Sequence, residues 1–231
     1  TLCHQLQSTN FGQPASFSGG YDVDTSTAPP NRPIYGPYEQ PEAQVMLAST
    51  GFVPTYGPHM DSAEHCATCH NLYTPYVDAQ GNVLGEFPEQ TPYTEWQHSS
   101  FGTDATSCQS CHMPQAQGGV VISTVPTGLP VRQPYFQHFF VGGNAFMLKV
   151  LGDWGGELEV TADPEHFAAT ETRVADQIGN RSATLTLNSL ALENGVVTAE
   201  LRVAPLTGHK FPASFPSRRA WLHVTVTDAA G

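Results

Sequence analysis

Charge is scarce in this chain of 231 residues: only 13% of positions are Asp, Glu, Lys or Arg, and just 9 are basic. With 21 acidic residues the formal net charge is −12, which disfavours nucleic acid and anionic membrane surfaces as partners. No apolar run approaches the roughly 18 residues of a membrane-spanning helix, so no span is expected. No secretory leader is visible, although a start at Thr1 rather than Met fits removal of an upstream segment. Sustained helical or strand periodicity is missing from most of residues 1–160, where Pro, Gly, aromatics and His are dense. Cysteine is rare and odd in number, at 5, so a disulfide framework cannot close on itself.

The few cysteines are not scattered. "EHCATCHNL" (64–72) and "TSCQSCHMP" (106–114) carry the same arrangement: Cys66, Cys69 and His70 in one, Cys108, Cys111 and His112 in the other. C-x-x-C-H is the attachment signature of c-type haem. The thiols form thioethers to the two vinyl groups, and the adjacent histidine becomes the proximal iron ligand. Zinc held by four thiolates is the main competing reading, but it does not call for His at the next position in both copies. A thioredoxin-like pair would sit at a strand-to-helix junction, and neither copy does. The chain opens "TLCHQL", so Cys3 and His4 repeat the second half of the same motif. A cysteine just before Thr1 would complete a third site; the plainer alternative is a free thiol beside an ordinary histidine. The cofactor expected is therefore haem c, two copies on complete motifs and three or more if Cys3 counts.

His4, His70 and His112 are the proximal candidates among 10 histidines. An electron-transfer haem wants a second axial ligand, His or Met, and the surplus of histidines favours bis-histidine irons. Met60 and Met113 each directly follow a histidine, which leaves Met poorly placed. His59 lies on an irregular Gly-Pro turn. His138 sits among four aromatics before a Gly-Gly turn. His209 lies on a Gly/Pro loop between strands, with Lys210, Arg218 and Arg219 nearby to pair with haem propionates. His98 is divided between distal ligand and helix surface. His65 is adjacent to Cys66 and too constrained to reach an iron well, His166 reads as helix surface, and His223 belongs to strand alternation. Asp22 and Asp24 bracket Val23 without a third carboxylate, which reads as a solvated loop rather than a calcium site.

The chain divides near residue 160. "TAPPNRPIYGPYEQPEA" (27–43) has five prolines and is expected to run extended over the surface. Short helices are expected in 41–50 and 92–101, a helical turn at each C-x-x-C-H, and one helix over 164–182. Beyond that the period changes to two. Residues 182–192 and 196–204 flank Asn194-Gly195, a hairpin signal. A third strand is expected over 219–231, with Leu222, Val224 and Val226 on one face. The expected fold is a loop-rich, irregular and α region (1–160) followed by a helix and a small antiparallel β region (161–231).

The segments "EFPEQTPYTEWQHSSF…SCQSCHMP", "HFFVGGNAFML" and "TGHKFPASFPSRRAWLHVTVTDAAG" resemble a family of bacterial multihaem c-type cytochromes. The resemblance runs from the first residues to the last and implies a haem-rich N-terminal part before an immunoglobulin-like β-sandwich. It also implies His59, His138 and His209 as distal ligands and a location beyond the cytoplasmic membrane: periplasm, cell surface or extracellular space. Relatives of that kind include soluble carriers and polymeric nanowire cytochromes. The first haem motif is incomplete here, and only about three strands precede the final turn where a sandwich has about seven. The chain is therefore expected to be a piece, or to complete its sheet with a partner. The function expected is electron transfer through several bis-histidine haems, not catalysis, with redox proteins as partners and end-to-end self-association. The competing class is a multihaem oxidoreductase acting on a small nitrogen or sulfur compound, which needs one five-coordinate iron. No Lys replaces a proximal His in either complete motif, and no Arg/Tyr/His trio surrounds one.

Overall fold

The computed structural model describes residues 2–228 and Gly231. The chain forms small sheets, short helices and long loops, a mixed α/β arrangement with no closed barrel. Strand β1 (Leu6–Gln7) pairs antiparallel with β2 (Asp22–Val23). Within the proline-rich stretch, expected to be extended throughout, only Pro33–Gly36 is so, as β3 paired in parallel with β4 (Val53–Tyr56), while the residues before and after it mostly turn and bend. Helix α1 (Ala43–Thr50) makes the crossover between them and ends on Gly51, whose φ of +71° is the left-handed cap that glycine tolerates best. Strands β5 (Leu72–Val77) and β6 (Val83–Gln90) form a hairpin between the two complete C-x-x-C-H motifs.

Each motif is helical. Helix α2 (Ala63–His70) is capped by Ser62, whose hydroxyl accepts from the His65 N–H, and it carries Cys66, Cys69 and His70. Helices α3 (Pro92–Gln97) and α4 (Ser100–Thr103) precede α5 (Cys108–His112), a single turn that is the second motif itself. Helices α6 (Ala145–Asp153) and α7 (Pro164–Arg181) pack on each other across the division near residue 160, with Phe167 over Gly152. Pro164 at the first position of α7 matches its start, since proline has no N–H to leave unpaired there.

Strands β7 (Ala183–Glu193) and β8 (Val196–Pro205) form the expected hairpin. Its turn residues have φ of +50° (Asn194) and +79° (Gly195), which only such residues adopt cheaply. In β7 the apolar positions shift phase, from Leu185 and Leu187 to Leu190 and Leu192. A bulge at Asn188 absorbs the extra residue, so all four stay opposite Val203, Leu201, Ala199 and Val197. That apolar face is uncovered: Leu190 is 65% exposed and Leu192 71%.

The expected third strand does not form. Residues 220–228 make no strand, and Trp221 is 80% exposed. Alternation sets which side chains share a face, but a strand also needs a neighbour for its N–H and C=O groups. Ala229 and Ala230, the end of that expectation, lie outside the described residues, as does Thr1. Among the described residues the β region is a two-stranded sheet.

The fully buried apolar side chains are few: Leu6, Ala63, Ala67, Tyr93, Val141 and Val174. The accessible surface is 15508 Å², against about 10,000 Å² for a compact chain of this size. The densest packing surrounds α2, where Phe17, Trp96 and Cys108 close on Ala63, Ala67 and Tyr93. Among the described residues no helix is long and apolar enough to cross a membrane. The Asp24 carboxylate accepts from Ser26 and Thr27 and is held well below the usual range by those bonds, a self-contained turn.

Candidate functional site

The three cysteine-histidine segments, distant in sequence, converge. Motif residues are sewn in place by polar contacts of buried groups. Gln109, inside the second motif, donates to the carbonyls of Met60 (2.9 Å) and Ser62 (3.0 Å) just ahead of α2. Trp96 Nε1 donates to Thr106 O at 2.8 Å, fixing the approach to Cys108. Asn71, fully buried directly after His70, bonds Thr94 through its side chain and accepts from the Ser18 N–H with its carbonyl. The neighbouring Cys108 thiol, with burial, pushes the Cys66 thiol up, while Cys66 holds Cys108 down. Burial pushes Cys111 up as well. All five cysteines are free thiols: Cys3, Cys69 and Cys111 are exposed, Cys66 and Cys108 half-buried.

Two imidazole pairs stand out. The His4 and His138 rings lie 5.9 Å apart, centroid to centroid, with 26° between their planes. The His112 and His209 rings are 6.2 Å apart at 22°. Both separations lie at the wide end of the roughly 4.5–7 Å range of paired rings. Metal–imidazole bonds are about 2.0–2.1 Å, so two imidazoles ligating one metal from opposite sides place their centroids roughly 6 Å apart. Each pair joins one histidine that follows a cysteine to one that does not.

The rings are oriented from behind, in the way that ligating histidines are. His4 Nδ1 donates to Tyr35 O at 2.6 Å, and His209 Nδ1 to Lys210 O at 2.9 Å. His112 Nδ1 donates to Val141 O, while the Val141 N–H returns a bond to His112 O at 3.0 Å. A proton on Nδ1 leaves Nε2 with its lone pair free. Burial lowers the pKa of His112 and of His138, and each opposing histidine lowers it further, so both rings stay neutral and ready to ligate.

His209 reaches His112 because the loop after β8 folds back onto α3. The Lys210 N–H donates to Glu95 Oε2 at 2.8 Å, Lys210 Nζ lies 3.8 Å from Glu95 Oε1, and Ser214 Oγ donates to Gln90 Oε1 at 2.8 Å. Gly208 lies against Trp96 and Phe101, where an added Cβ would come within 3.0 Å of Trp96 Cδ1. Glycine is required there by a close approach, not by its dihedral angles.

The other expected ligands are placed differently. His59 Nε2 donates to Leu6 O at 3.0 Å, and its ring packs edge-on against Tyr35 and Phe11. The imidazole near it is His65, at 6.3 Å and 31°. His98 Nδ1 donates to Thr94 O at 2.7 Å, back onto the last turn of its own helix, with the ring exposed. His70 is exposed at the end of α2, and among the described residues no second imidazole makes a ring contact with it. The sequence set His65 aside, but the structure half-buries it against Phe11 and encloses its Nδ1 without a partner. Only its adjacency to a motif cysteine could have pointed to it, and that argued against a role. Among the described residues no group of three or more His, Cys, Asp or Glu side chains gathers to hold a metal ion. The chain matches no family model, no curated protein and no solved structure.

Proposed function

We propose that this chain transfers electrons through several covalently attached c-type haems with bis-histidine irons, as an exported member of the multihaem cytochromes it resembles. The observation that carries the reading is the pair of near-parallel imidazoles at 5.9 and 6.2 Å, each with one member next to a cysteine. The residues present fit the group. Cys66 with Cys69 and Cys108 with Cys111 supply thiols one helical turn apart, Cys3 supplies another, and His4, His70 and His112 follow directly. Nδ1 bonds to backbone carbonyls fix His4, His112 and His209 as Nε2 donors. Scarce buried side chains and a large accessible surface leave apolar walls that a macrocycle would cover. When bound, haem supplies reversible one-electron chemistry whose potential follows axial ligation and burial. His138 would hold the group together with His4, and His209 together with His112, which would leave no room for a substrate at those two irons. The β7–β8 hairpin belongs to a β-sandwich-like region, and end-to-end association of copies would cover its exposed apolar face.

A second reading has its own observation. Among the described residues His70 makes no ring contact with a second imidazole, which would leave one side of the iron it would hold uncommitted, as an oxidoreductase for a small nitrogen or sulfur compound requires. Spectroscopy separates the two. Electron transfer predicts a low-spin oxidised spectrum and little carbon monoxide binding after reduction; rapid binding to one iron in three favours the enzyme. His209→Ala should turn one haem high-spin or water-ligated and shift its potential, while His223→Ala leaves every haem unchanged. A His209→Ala chain that stays fully low-spin sinks the assignment of its ring.

A further inference from the structure

The hairpin β7–β8 is held only at its base. Ser182, buried where α7 ends, accepts from the Leu206 N–H with its carbonyl at 2.9 Å, and Ala183 and Ala204 are half-buried beside it. Every other residue of the two strands is exposed. The chain that follows does not fold over them, because Lys210 and Ser214 tie it to Glu95 and Gln90. The sheet is nonetheless two-sided. The four leucines of β7 share one face with Val197, Leu201 and Val203, while every charged residue of the hairpin, Glu193, Glu200 and Arg202, lies on the other. Keeping the leucines in phase requires the bulge at Asn188, whose side chain donates to Glu200 at 3.0 Å. A two-stranded sheet is marginal in water unless its apolar face packs on something.

We infer that the apolar face of β7–β8 stacks on the same face of a second copy of this chain, each copy supplying one layer of a four-stranded sandwich about a twofold axis. The inference rests on the association of copies proposed above and assigns the surface that makes it. Stacked sheets lie about 10 Å apart, with their strands within about 30° of one another. The leucines and valines of the face are 37% to 71% exposed, which amounts to roughly 600 Å² of aliphatic surface per copy. Two such faces bury about 1,200 Å², the lower end of specific, stable interfaces. Charge points to the same partner. Copies of net charge −12 repel at long range, and an uncharged face is the surface on which they can meet at least cost. Contact between identical faces closes at two copies.

The test is sedimentation of the full chain, as cells produce it, over a range of micromolar concentrations. The expected species is a dimer that tightens as salt is added, the reverse of an interface held by ion pairs. Leu190→Lys should weaken it by at least about a hundredfold, because the contact would then bury unpaired ammonium groups. Thr186→Lys, on the opposite face, should change it by less than about threefold. A photo-reactive benzoylphenylalanine in place of Leu190, in a mixture of isotopically light and heavy copies, identifies the neighbour by mass spectrometry. Links between light and heavy copies within residues 183–205 are expected. Links from Leu190 to residues 220–228 or to any other part of its own copy overturn the inference, as does a dimer that survives Leu190→Lys. In both cases sedimentation still shows whether copies associate, so the broader reading stands or falls separately. A single-copy species at every concentration defeats the two together.

Discussion

Helix α2 and the hairpin β7–β8 are both regular, well-formed elements, yet they relate to the rest of the chain in opposite ways. Around α2 the alanines are small, the neighbours aromatic, and the chain returns to it from residues 17, 93, 96 and 108. The hairpin carries far more aliphatic surface, but nothing packs over its apolar face. Hydrophobic content therefore does not locate the core of this protein. Convergence of distant segments does, and the converging segments are the ones that carry cysteine and histidine.

Breaking the α2 side should have the largest effect. Tyr93 is buried, donates to Glu64 at 3.1 Å and receives a bond from Gln97 at 3.0 Å. Tyr93→Ala should lower the unfolding free energy by about 3–5 kcal/mol in urea titration. A loss under 1 kcal/mol would mean that α2 is not the centre of stability.

Acid probes the same side. Burial, then the neighbouring His59 and His4, holds the His65 ring down to about 4, below its ordinary 6.5. The unfolded chain thus binds more protons between these values, so stability is fully present above pH 6.5 and is lost as pH falls towards 4. Water still reaches part of the ring, which brings the effect to about 1–2 kcal/mol. Asp24, Asp78 and Asp176, whose carboxyls are held low by hydrogen bonds, titrate below that window. Thermal melts at pH 7 and 4.5 should therefore diverge in the native chain and diverge less in His65→Gln, the remainder coming from His59, His112 and His138, which burial also holds low. Equal divergence in both would assign the acid response to other groups.

The joint between the two regions is the next test. Gly208→Ala forces a Cβ against Trp96 and Phe101 and should cost about 1 kcal/mol while turning His209 away from His112. The change would be read as a weaker low-spin signal together with a lower melting temperature. Smallest of all, Leu192→Ser on the uncovered hairpin should leave the stability of a single copy within about 0.5 kcal/mol. A drop above 2 kcal/mol at micromolar protein, absent at high dilution, would show that a second chain covers this face.

Much of the local structure was legible. The helix expected over 164–182 forms as α7, and Asn194-Gly195 marked the hairpin turn, because such signals act within a few residues. The pairing of β3 with β4 was not legible, since its register depends on the crossover through α1 rather than on either strand's composition. The candidate site divides in the same manner. Spacing alone singled out Cys66, Cys69, His70, Cys108, Cys111 and His112, and the Cys-His adjacency added Cys3 and His4. Which histidine stands opposite which was not readable. His59 and His98 had loop and helix settings as suitable as those of His138 and His209, and only the hydrogen bonds to Leu6 and Thr94 turn their rings elsewhere.

The sequence by itself determined what rests on neighbouring residues: thiols three positions apart with a histidine behind them, turns at Gly and Asn, and alternation in the last strands. Only the tertiary structure decided what rests on long-range contact. It left residues 220–228 without a strand partner, half-buried His65, packed Cys108 against Ala63 and Ala67, and folded the loop after β8 back so that Glu95 holds Lys210 and His209 faces His112. The reason is physical. Covalent spacing and backbone preference act over one or two turns of chain, whereas these contacts are chosen by which segments, far apart in sequence, can pack and bond without leaving a buried polar group unpaired.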